Sequence, residues 1–488
     1  MNRNIIYATL VVLLAACGGS SENSNTEVTQ KDNTSNNTPR ATISVKALKV
    51  DACGNTSIAT DAALIIHNND YSNKEVILAD ANGSMSYGTD NTTETISVVL
   101  RRVDEGAGIK PFDIITYIDH PIIDLDTIYT STGDTSLCNC FQNTLSVNVP
   151  DRPADTGDAE LFGAQRHNNI LNYVGYSEIE GIEQCSKVGE QPPLVTTIID
   201  FINPAESYAA VIENIQQASS VSATLRGQSV NIVSPDSYRQ VSAFMDDNHH
   251  LISFAFDASS NVYSYPVEQA EFYSIAAYSV EDFYEVPDVD YAYILRYSNI
   301  ATTNINQTFD LPLLPINYVE LLEVLTSETG SYDISYAGEL DFMNVSISAF
   351  SYMGSILDWY IYAPTSGQVP NIENLDLSAF ISDVDLDANI DTLSIAVGAR
   401  DYIGISDYDD FLRSKVTRDA GDFANDKWSK MDWANFRVTM SGVGISNMAN
   451  ALPVRLANID KKRENKKYKP TKNDGTSALI KKELALLR

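Results

Sequence analysis

The segment ATISVKALKV, residues 41–50, decides the fold class, because Ile43, Val45 and Ala47 alternate with polar residues. Successive side chains of a β-strand point to opposite faces, so this alternation predicts a strand with one buried face. Three further short segments rich in strand-forming residues follow, at 62–67, 74–79 and 93–103, with turn residues between them. Residues 41–150 are therefore predicted to form a β-sandwich domain.

The stretch LADANGSMSY, residues 78–87, carries a turn in which Asp80 precedes Gly83 by three positions. The pair Asn82-Gly83 supplies the positive φ that such a turn requires. With TDAAL at 60–64, this pattern resembles the carboxypeptidase regulatory-like (transthyretin-like) modules of bacterial surface proteins, where a strand ends in an Asp-x-x-Gly turn and a second strand follows. The resemblance covers residues 41–103 and implies a structural or binding role, with no catalytic residues to carry over.

The rest of the chain repeats the strand-rich pattern without a fixed period. Residues 151–305 are predicted to form a β-rich middle domain, with a meander at 239–245, 251–257 and 262–267. Residues 306–454 are predicted to form a β-rich C-terminal domain, in which Val345, Ile347 and Ala349 alternate along one buried face. The predicted fold class is mainly β: tandem β-sandwich (Ig-like or transthyretin-like) domains with a few short helices.

One helix is predicted near residue 203. Asn203 suits the N-cap, Pro204 the first helical position and Glu206 the third. The apolar residues that then fall on one helical face are Tyr208, Val211, Ile212 and Ile215.

The first residues predict export and lipid attachment. One positive charge, Arg3, precedes an apolar run over 5–16, which is shorter than the about 20 residues that span a bilayer. The run ends Leu14-Ala15-Ala16-Cys17, which resembles the bacterial lipobox. The resemblance implies a signal peptide over 1–16, cleavage after Ala16 and acylation (palmitate included) of Cys17. Gly18 in the next position, rather than Asp, implies the outer membrane.

Two polar segments flank the predicted domains. Residues 17–40 carry one sizeable apolar side chain after Cys17, Val28, and are predicted to be a disordered tether. Residues 455–488 form a basic tail, predicted to be disordered or to form an amphipathic helix at 477–488 with Ile480, Leu484 and Leu487 on one stripe. The tail either contacts lipid phosphates at the membrane surface or is attracted to the acidic remainder of the chain.

The charge is unevenly distributed. The 488 residues include 65 acidic and 33 basic side chains, a net charge of −32. The tail from Arg455 holds eleven Lys/Arg and four Asp/Glu, a net of +7, which leaves −39 on the rest. Such a chain repels nucleic acid, so no nucleic-acid partner is expected.

Four cysteines remain besides Cys17: Cys53, Cys138, Cys140 and Cys185. An even number in an oxidising compartment predicts two disulfides. Cys138 and Cys140 lie two apart in a predicted strand and share a face, so each is expected to pair with one of the two distant cysteines. Zinc binding by all four is the alternative.

A calcium site is the one metal or cofactor interpretation that the sequence offers beyond zinc. Oxygen-bearing side chains alternate at Asp383, Asp385, Asp387, Asn389 and Asp391, as in calcium-binding loops. The sixth position is Ala388 instead of Gly, and the twelfth is Ser394 instead of Glu. The competing interpretation is a strand edge with its carboxylates in water.

No catalytic motif stands out in the sequence. His249-His250 is expected in a solvated hairpin, and the three other histidines stand apart. Trp359, Trp428 and Trp433 could present a flat binding face, but core packing is favoured. The leading hypothesis is a non-enzymatic envelope lipoprotein that binds or scaffolds a protein or polysaccharide. The alternatives are an exported hydrolase that acts on extracellular polymer and a calcium-stabilised surface protein.

Overall fold

The computed structural model describes residues 41–442, apart from 103–110, 133, 150–156, 165, 191–192, 201–205, 235–237, 246–247, 256–261, 284–288, 315–320, 322–323, 325–329, 336–339, 352–353, 370–389 and 417–426. This range forms one compact unit, and it is mainly β, as the sequence predicts. No helix in the described part is long and apolar enough to cross a membrane.

The described elements, in chain order, are the following strands and one helix. They are β1 Ala41–Val50, β2 Thr56–Ile58, β3 Ala62–His67, β4 Asn73–Leu78, β5 Ser84–Thr89, β6 Thr93–Arg101, β7 Phe112–Pro121, β8 Thr127–Ser131, β9 Asn139–Asn148, β10 Gly157–Phe162, β11 Asn169–Tyr173, β12 Tyr176–Ser186, β13 Leu194–Asp200, β14 Tyr208–Ile212, β15 Ser220–Ser222, β16 Leu225–Arg226, β17 Gln228–Val233, β18 Tyr238–Met245, β19 Asn248–Ala255, β20 Val262–Ser264, β21 Phe272–Phe283, β22 Tyr291–Thr302, β23 Thr308–Asp310, β24 Ser331–Asp333, β25 Phe342–Ser351, β26 Gly354–Ala363, β27 Ser366–Gln368, β28 Thr392–Tyr402, α1 Tyr408–Val416 and β29 Lys430–Ser441.

A twelve-stranded sheet organises the unit. Its strand order is β19-β18-β21-β22-β29-β28-β25-β26-β7-β6-β3-β4, and all neighbours are antiparallel except β26 and β7. Its central strand β28 is buried along most of its length, so both faces of the sheet are covered there. The strands come from all three stretches that the sequence analysis separates. The boundaries at 150 and 305 stay predictions, while the hydrogen-bonded sheet crosses both.

Smaller sheets cover the ends of the large one and make β-sandwiches. Strands β1, β2, β5 and β8 form a sheet whose buried residues, Ile43 and Val45 among them, pack in one cluster with Leu64 and Val98 of the large sheet. At the other end, β17 pairs with β20 and β23, and Ile232 packs in one cluster with Ile275. These layers confirm the predicted β-sandwich architecture.

A third sandwich lies between these two along the chain. Its sheets are β11-β12-β9-β15 and β10-β13-β14-β16, four strands each. Leu145 and Ile179 of the first sheet share a buried cluster with Leu194 and Ile212 of the second. The third sandwich is built from residues 139–226, a single continuous stretch of chain with short gaps in the described range.

The helix predicted from Asn203 is wrong in its described part. Residues 201–205 lie outside the described residues, but Tyr208–Ile212 is strand β14, which pairs antiparallel with β13. The apolar spacing at 208, 211, 212 and 215 fits a helix, yet Ala209 and Ala210 between them are buried too. A short apolar run covered on both faces cannot be told from a helix by period alone, and pairing with β13 decides for the strand.

The turn predicted at Asp80–Gly83 is present. Gly83 has a φ of 75°, and its N–H donates to the Asp80 carbonyl at 3.0 Å. The Asp80 carboxylate accepts hydrogen bonds from the backbone N–H of Asn82 and of Ser84. These bonds hold the pKa of Asp80 below its ordinary value, and the turn joins β4 to β5 as the sequence predicts.

Candidate functional site

A line of hydrogen-bonded polar side chains crosses the large sheet within its core. Trp359 on β26 donates its indole N–H to Thr116 Oγ1 on β7 at 2.8 Å. Thr116 Oγ1 lies 2.6 Å from Ser97 Oγ on β6, and Ser97 Oγ lies 2.7 Å from His67 Nε2 on β3. The line ends where His67 Nδ1 meets the Tyr71 carbonyl at 3.0 Å.

The two ends of this line fix the direction of every bond in it. An indole N–H only donates and a carbonyl only accepts, so Thr116 accepts from Trp359 and His67 Nδ1 carries the proton given to Tyr71. His67 Nε2 is then the acceptor for the Ser97 hydroxyl. Burial lowers the pKa of His67, which favours this neutral form.

The Ser97–His67 contact has the geometry of a nucleophile and its base, but it lies inside the protein. Ser97 is 0% exposed and His67 4% exposed. A serine nucleophile must reach its substrate, and a general base must take its proton during attack. Every polar atom of the line is already bonded within the core, so the arrangement ties four strands together. No sequence signal reveals it, because the four side chains come from positions 67, 97, 116 and 359.

Two partly buried carboxylates also lie side by side on the large sheet, with 20% and 16% of their side chains exposed. Asp113 on β7 and Asp358 on β26 are direct partners in the parallel pair, and Arg102 bridges them. Arg102 Nε lies 3.2 Å from Asp113 and its Nη2 lies 2.7 Å from Asp358, while Thr130 donates to Asp113 at 3.0 Å. Burial raises the pKa of Asp113, and Arg102 opposes that rise. The Arg102 guanidinium therefore pairs with both carboxylates and joins β7 to β26 at this point.

The helix α1 packs on the large sheet through a cluster of aromatic side chains. Lys415 donates to the Tyr117 hydroxyl at 3.0 Å, and its Nζ lies 4.5 Å from the centre of the Tyr362 ring. Phe411 of the same helix stacks on Phe342 at 3.9 Å. Tyr117 and Tyr362 stack on each other at 5.5 Å. The cation–π and stacking contacts dock the helix on the large sheet.

Two buried titratable groups flank this helix. His120 is fully buried, edge-on to Tyr117 at 5.4 Å, and burial lowers its pKa to about 4. Asp341 is 7% exposed and accepts a hydrogen bond from the Tyr402 N–H at 2.6 Å. Burial raises the pKa of Asp341 to about 7, and the charges of Asp401, Asp407 and Asp410 add to the rise.

The cysteines form the two predicted disulfides. Cys53 pairs with Cys138 and Cys140 with Cys185, so each member of the adjacent pair is bonded to a distant cysteine. A carboxylate oxygen of Asp51 and the sulfurs of Cys53 and Cys138 lie within 4.8 Å of one another, close enough to suggest a metal site. The disulfide takes both sulfurs, and Asp51 accepts hydrogen bonds from the N–H groups of Cys53 and Asn55. The four-cysteine zinc site is therefore excluded in this disulfide-bonded form.

Most of the calcium candidates fall outside the described residues, namely Asp383, Asp385, Asp387 and Asn389, and so does the lipidation candidate Cys17. Asp391 is described. Its N–H donates to the Phe350 carbonyl at 2.8 Å, and its own carbonyl accepts from the Gly442 N–H at 3.0 Å. These backbone bonds fix Asp391 at the start of β28, beside the end of β29. The calcium site stays a prediction.

The tryptophans lie in the core, as the sequence analysis favours. Trp359, Trp433 and Trp428 are 0%, 2% and 5% exposed. Tyr360 and Tyr362 are half-buried. A flat aromatic binding face made by these residues is therefore excluded.

The comparisons with known proteins give little. No family model and no curated protein matches the chain. Among solved structures, BcpA, the major pilin subunit of Bacillus cereus, aligns at 8% identity over 56% of this chain and 98% of its own, with a TM-score of 0.11. A streptococcal ancillary pilin aligns at 8% identity over 56% of this chain and 99% of its own, also with a TM-score of 0.11. Scores this low carry no argument about fold or function.

Proposed function

We propose that this chain is a non-enzymatic envelope lipoprotein, anchored through Cys17, whose β-sandwiches bind or scaffold a protein or polysaccharide outside the cytoplasm. The proposal rests on one observation. Among the described residues, the Ser97–His67 pair is buried in the large sheet, and Asp113 and Asp358 are both bonded to Arg102. A hydrolase needs such groups at a surface that its substrate can reach.

Four further features support an exported structural protein. The chain holds two disulfides, which persist in oxidising compartments. The central strands of its large sheet are covered on both faces, an arrangement that gives rigidity. The lipobox resemblance and the net charge of −39 on residues 1–454 support a solvated body held at a membrane by lipid.

A serine-hydrolase activity can be tested with a fluorophosphonate probe, which labels serines activated by a neighbouring base. The native protein should stay unlabelled at Ser97, because the hydroxyl has no access to solvent. The Ser97→Ala variant serves as the background, and the probe reaction is read by peptide mass spectrometry. Labelling of Ser97 in the native protein that disappears in Ser97→Ala would overturn the proposal in favour of a hydrolase.

The anchor is tested separately. Cys17→Ser should move the protein from the membrane fraction to the soluble fraction and should abolish incorporation of a clickable palmitate analogue. Cys53→Ser with Cys138→Ser is the matched control, since it removes cysteines without touching the lipobox. If Cys17→Ser stays in the membrane fraction at unchanged gel mobility, the anchoring part of the proposal fails.

A further inference from the structure

The sheet β11-β12-β9-β15 has one covered face and one open face. Leu145, Val147 and Ile179 point into the third sandwich and are fully buried. Since side chains alternate along a strand, the residues between them point to the opposite face. On β11 and β12 those outward residues meet as direct partners, Leu171 with Glu178 and Tyr173 with Tyr176.

The open face carries an apolar row beside an acidic row. Along β11 and its turn, Leu171, Tyr173 and Val174 are 38%, 39% and 70% exposed, and the Tyr173 ring stacks on Tyr176 at 4.7 Å. Along β12, the outward residues are Glu178, Glu180 and Glu183. Asn169 donates to Glu180 at 3.2 Å, and Arg166 and Gln142 bond to Glu183. The two rows run on neighbouring strands, which are about 5 Å apart.

The segment 477–488 of the same chain has the complementary pattern. In a helix with 3.6 residues per turn, Ile480, Leu484 and Leu487 form one stripe, and Lys481 and Arg488 form a basic row directly beside it. The stripe and the basic row are each about 10 Å long at a rise of about 1.5 Å per residue. Glu178 and Glu183, five residues apart, mark out an acidic row of about 15 Å at about 3.3 Å per residue.

The chain between the described unit and the segment 477–488 is long enough for the segment to reach the open face. Residues 443–476 separate the end of the described unit from this segment, and 34 residues reach more than about 100 Å when extended. The tail from Arg455 carries +7 against −39 on the rest of the chain, so attraction favours contact. Covalent attachment also raises the effective concentration of the segment at the face.

We propose that residues 477–488 dock as an amphipathic helix on the open face of the β11-β12-β9-β15 sheet, with the apolar stripe on Leu171 and Tyr173 and the basic row on Glu178 and Glu180. The tail is then an intramolecular ligand that covers this face. The proposal does not depend on the absence of enzymatic activity.

The test is carbodiimide cross-linking of the full-length chain in zwitterionic detergent, read by peptide mass spectrometry. Carbodiimide joins an amine to a carboxylate that touches it, with loss of water. We expect cross-links from Lys481 to Glu178 or Glu180, and none from Lys482, which lies on the far side of the helix. Glu178→Lys with Glu180→Lys should abolish the docking, whereas Glu213→Lys with Glu268→Lys, an equal charge change at exposed glutamates elsewhere, should leave it intact.

A variant in the tail guards against misfolding of the sheet. Leu484→Asp should abolish the same cross-links, while Ala478→Asp, on the other side of the predicted helix, should keep them. Cross-links spread evenly over the acidic surface, or unchanged in Leu484→Asp, would overturn the proposal. Phosphatidylserine vesicles provide a second way to overturn the proposal. If the vesicles bind the full chain but not a chain truncated after residue 454, and if their addition removes the cross-links, the tail is a membrane contact instead.

Discussion

Reducing the two disulfides should lengthen the unfolded protein by an amount that the structure fixes. The Cys53–Cys138 bond closes a loop of 85 residues, and the Cys140–Cys185 bond closes a separate loop of 45. A stretched chain gains about 3.5 Å per residue, so opening the first loop adds about 300 Å and opening the second about 150 Å. Opening both adds about 450 Å.

The assay is single-molecule pulling from both ends of the chain, with total contour length compared between variants. Cys53→Ser with Cys138→Ser should add about 300 Å relative to the oxidised native protein, and Cys140→Ser with Cys185→Ser about 150 Å. Reduction of the native protein should give the sum, and the fully reduced variants should gain nothing beyond that common length.

The two pairwise variants also distinguish the alternative connectivities. If Cys53 were joined to Cys140 and Cys138 to Cys185, either pair of substitutions would break both bonds at once. Each variant would then gain about 450 Å, since the whole stretch from Cys53 to Cys185 would open. Equal gains of that size would refute the pairing described above.

Three smaller perturbations test particular positions in the fold. Gly83→Ala should destabilise the protein by more than Gly175→Ala in urea titrations. Both glycines have a positive φ, which costs about 1–2 kcal/mol for alanine. A Cβ at Gly83 would also lie 2.5 Å from a backbone carbonyl oxygen, whereas a Cβ at Gly175 would have nothing within 4 Å. The pKa of His120 is lowered to about 4, so the unfolded chain binds a proton at this histidine first. The free energy of unfolding should therefore fall by up to about 3 kcal/mol as pH drops from about 6.5 to 4. His120→Gln should flatten that slope, and an unchanged slope would show that His120 does not cause it. The pKa of Asp341 is raised to about 7, so its contribution to the free energy of unfolding is fully present below about pH 4 and should be lost as pH rises to 7. Asp341→Asn should remove the change in stability over that interval. A variant that loses stability with the same slope would show that Asp341 does not cause it.

The strands could be predicted because the alternation of apolar and polar residues along the chain agrees with the structure that these residues adopt. The alternation in ATISVKALKV matches β1, whose buried residues are Ile43, Val45 and Ala47. The alternation of Val345, Ile347 and Ala349 predicts strand β25, but this strand buries Ser346 and Ser348 on its other face as well. The turn at Asp80–Gly83 was predictable for the same reason, since its glycine and its Asx hydrogen bonds are encoded within five residues.

The helices were harder to predict because local signals compete with pairing. The stretch after Asn203 has a cap and a helical period, yet tertiary pairing with β13 makes it a strand. The helix α1 was missed, although SDYDD at 406–410 contains its cap. Asp407 accepts a hydrogen bond from the Asp410 N–H at 2.9 Å, and the Asp410 carboxylate accepts from the Ser406 N–H at 3.2 Å, as in a capping box.

The arrangement of the polar core could not be predicted at all from one sequence. His67 and His120 stand alone in the sequence, and nothing near them indicates that one has a bonded serine and the other lies buried against a helix. Trp359 and Thr116 are 243 positions apart, and only the parallel register of β26 on β7 brings them together. The cysteine pairing was narrowed by placing Cys138 and Cys140 on one face of a predicted strand. In the structure β9 begins at Asn139, after Cys138, and the choice of partners needed the fold.

The β7–β26 junction also sets the order in which the strands can pair as the chain is made. Strands β3, β4, β6 and β7 are synthesised early, but the partner of β7 follows more than two hundred residues later. Until then β7 has an open hydrogen-bonding edge, the feature by which nascent β proteins pair with the wrong chain. Closing so long a connection is slow. Truncations that end before Gly354 should therefore accumulate as aggregates instead of shorter folded forms.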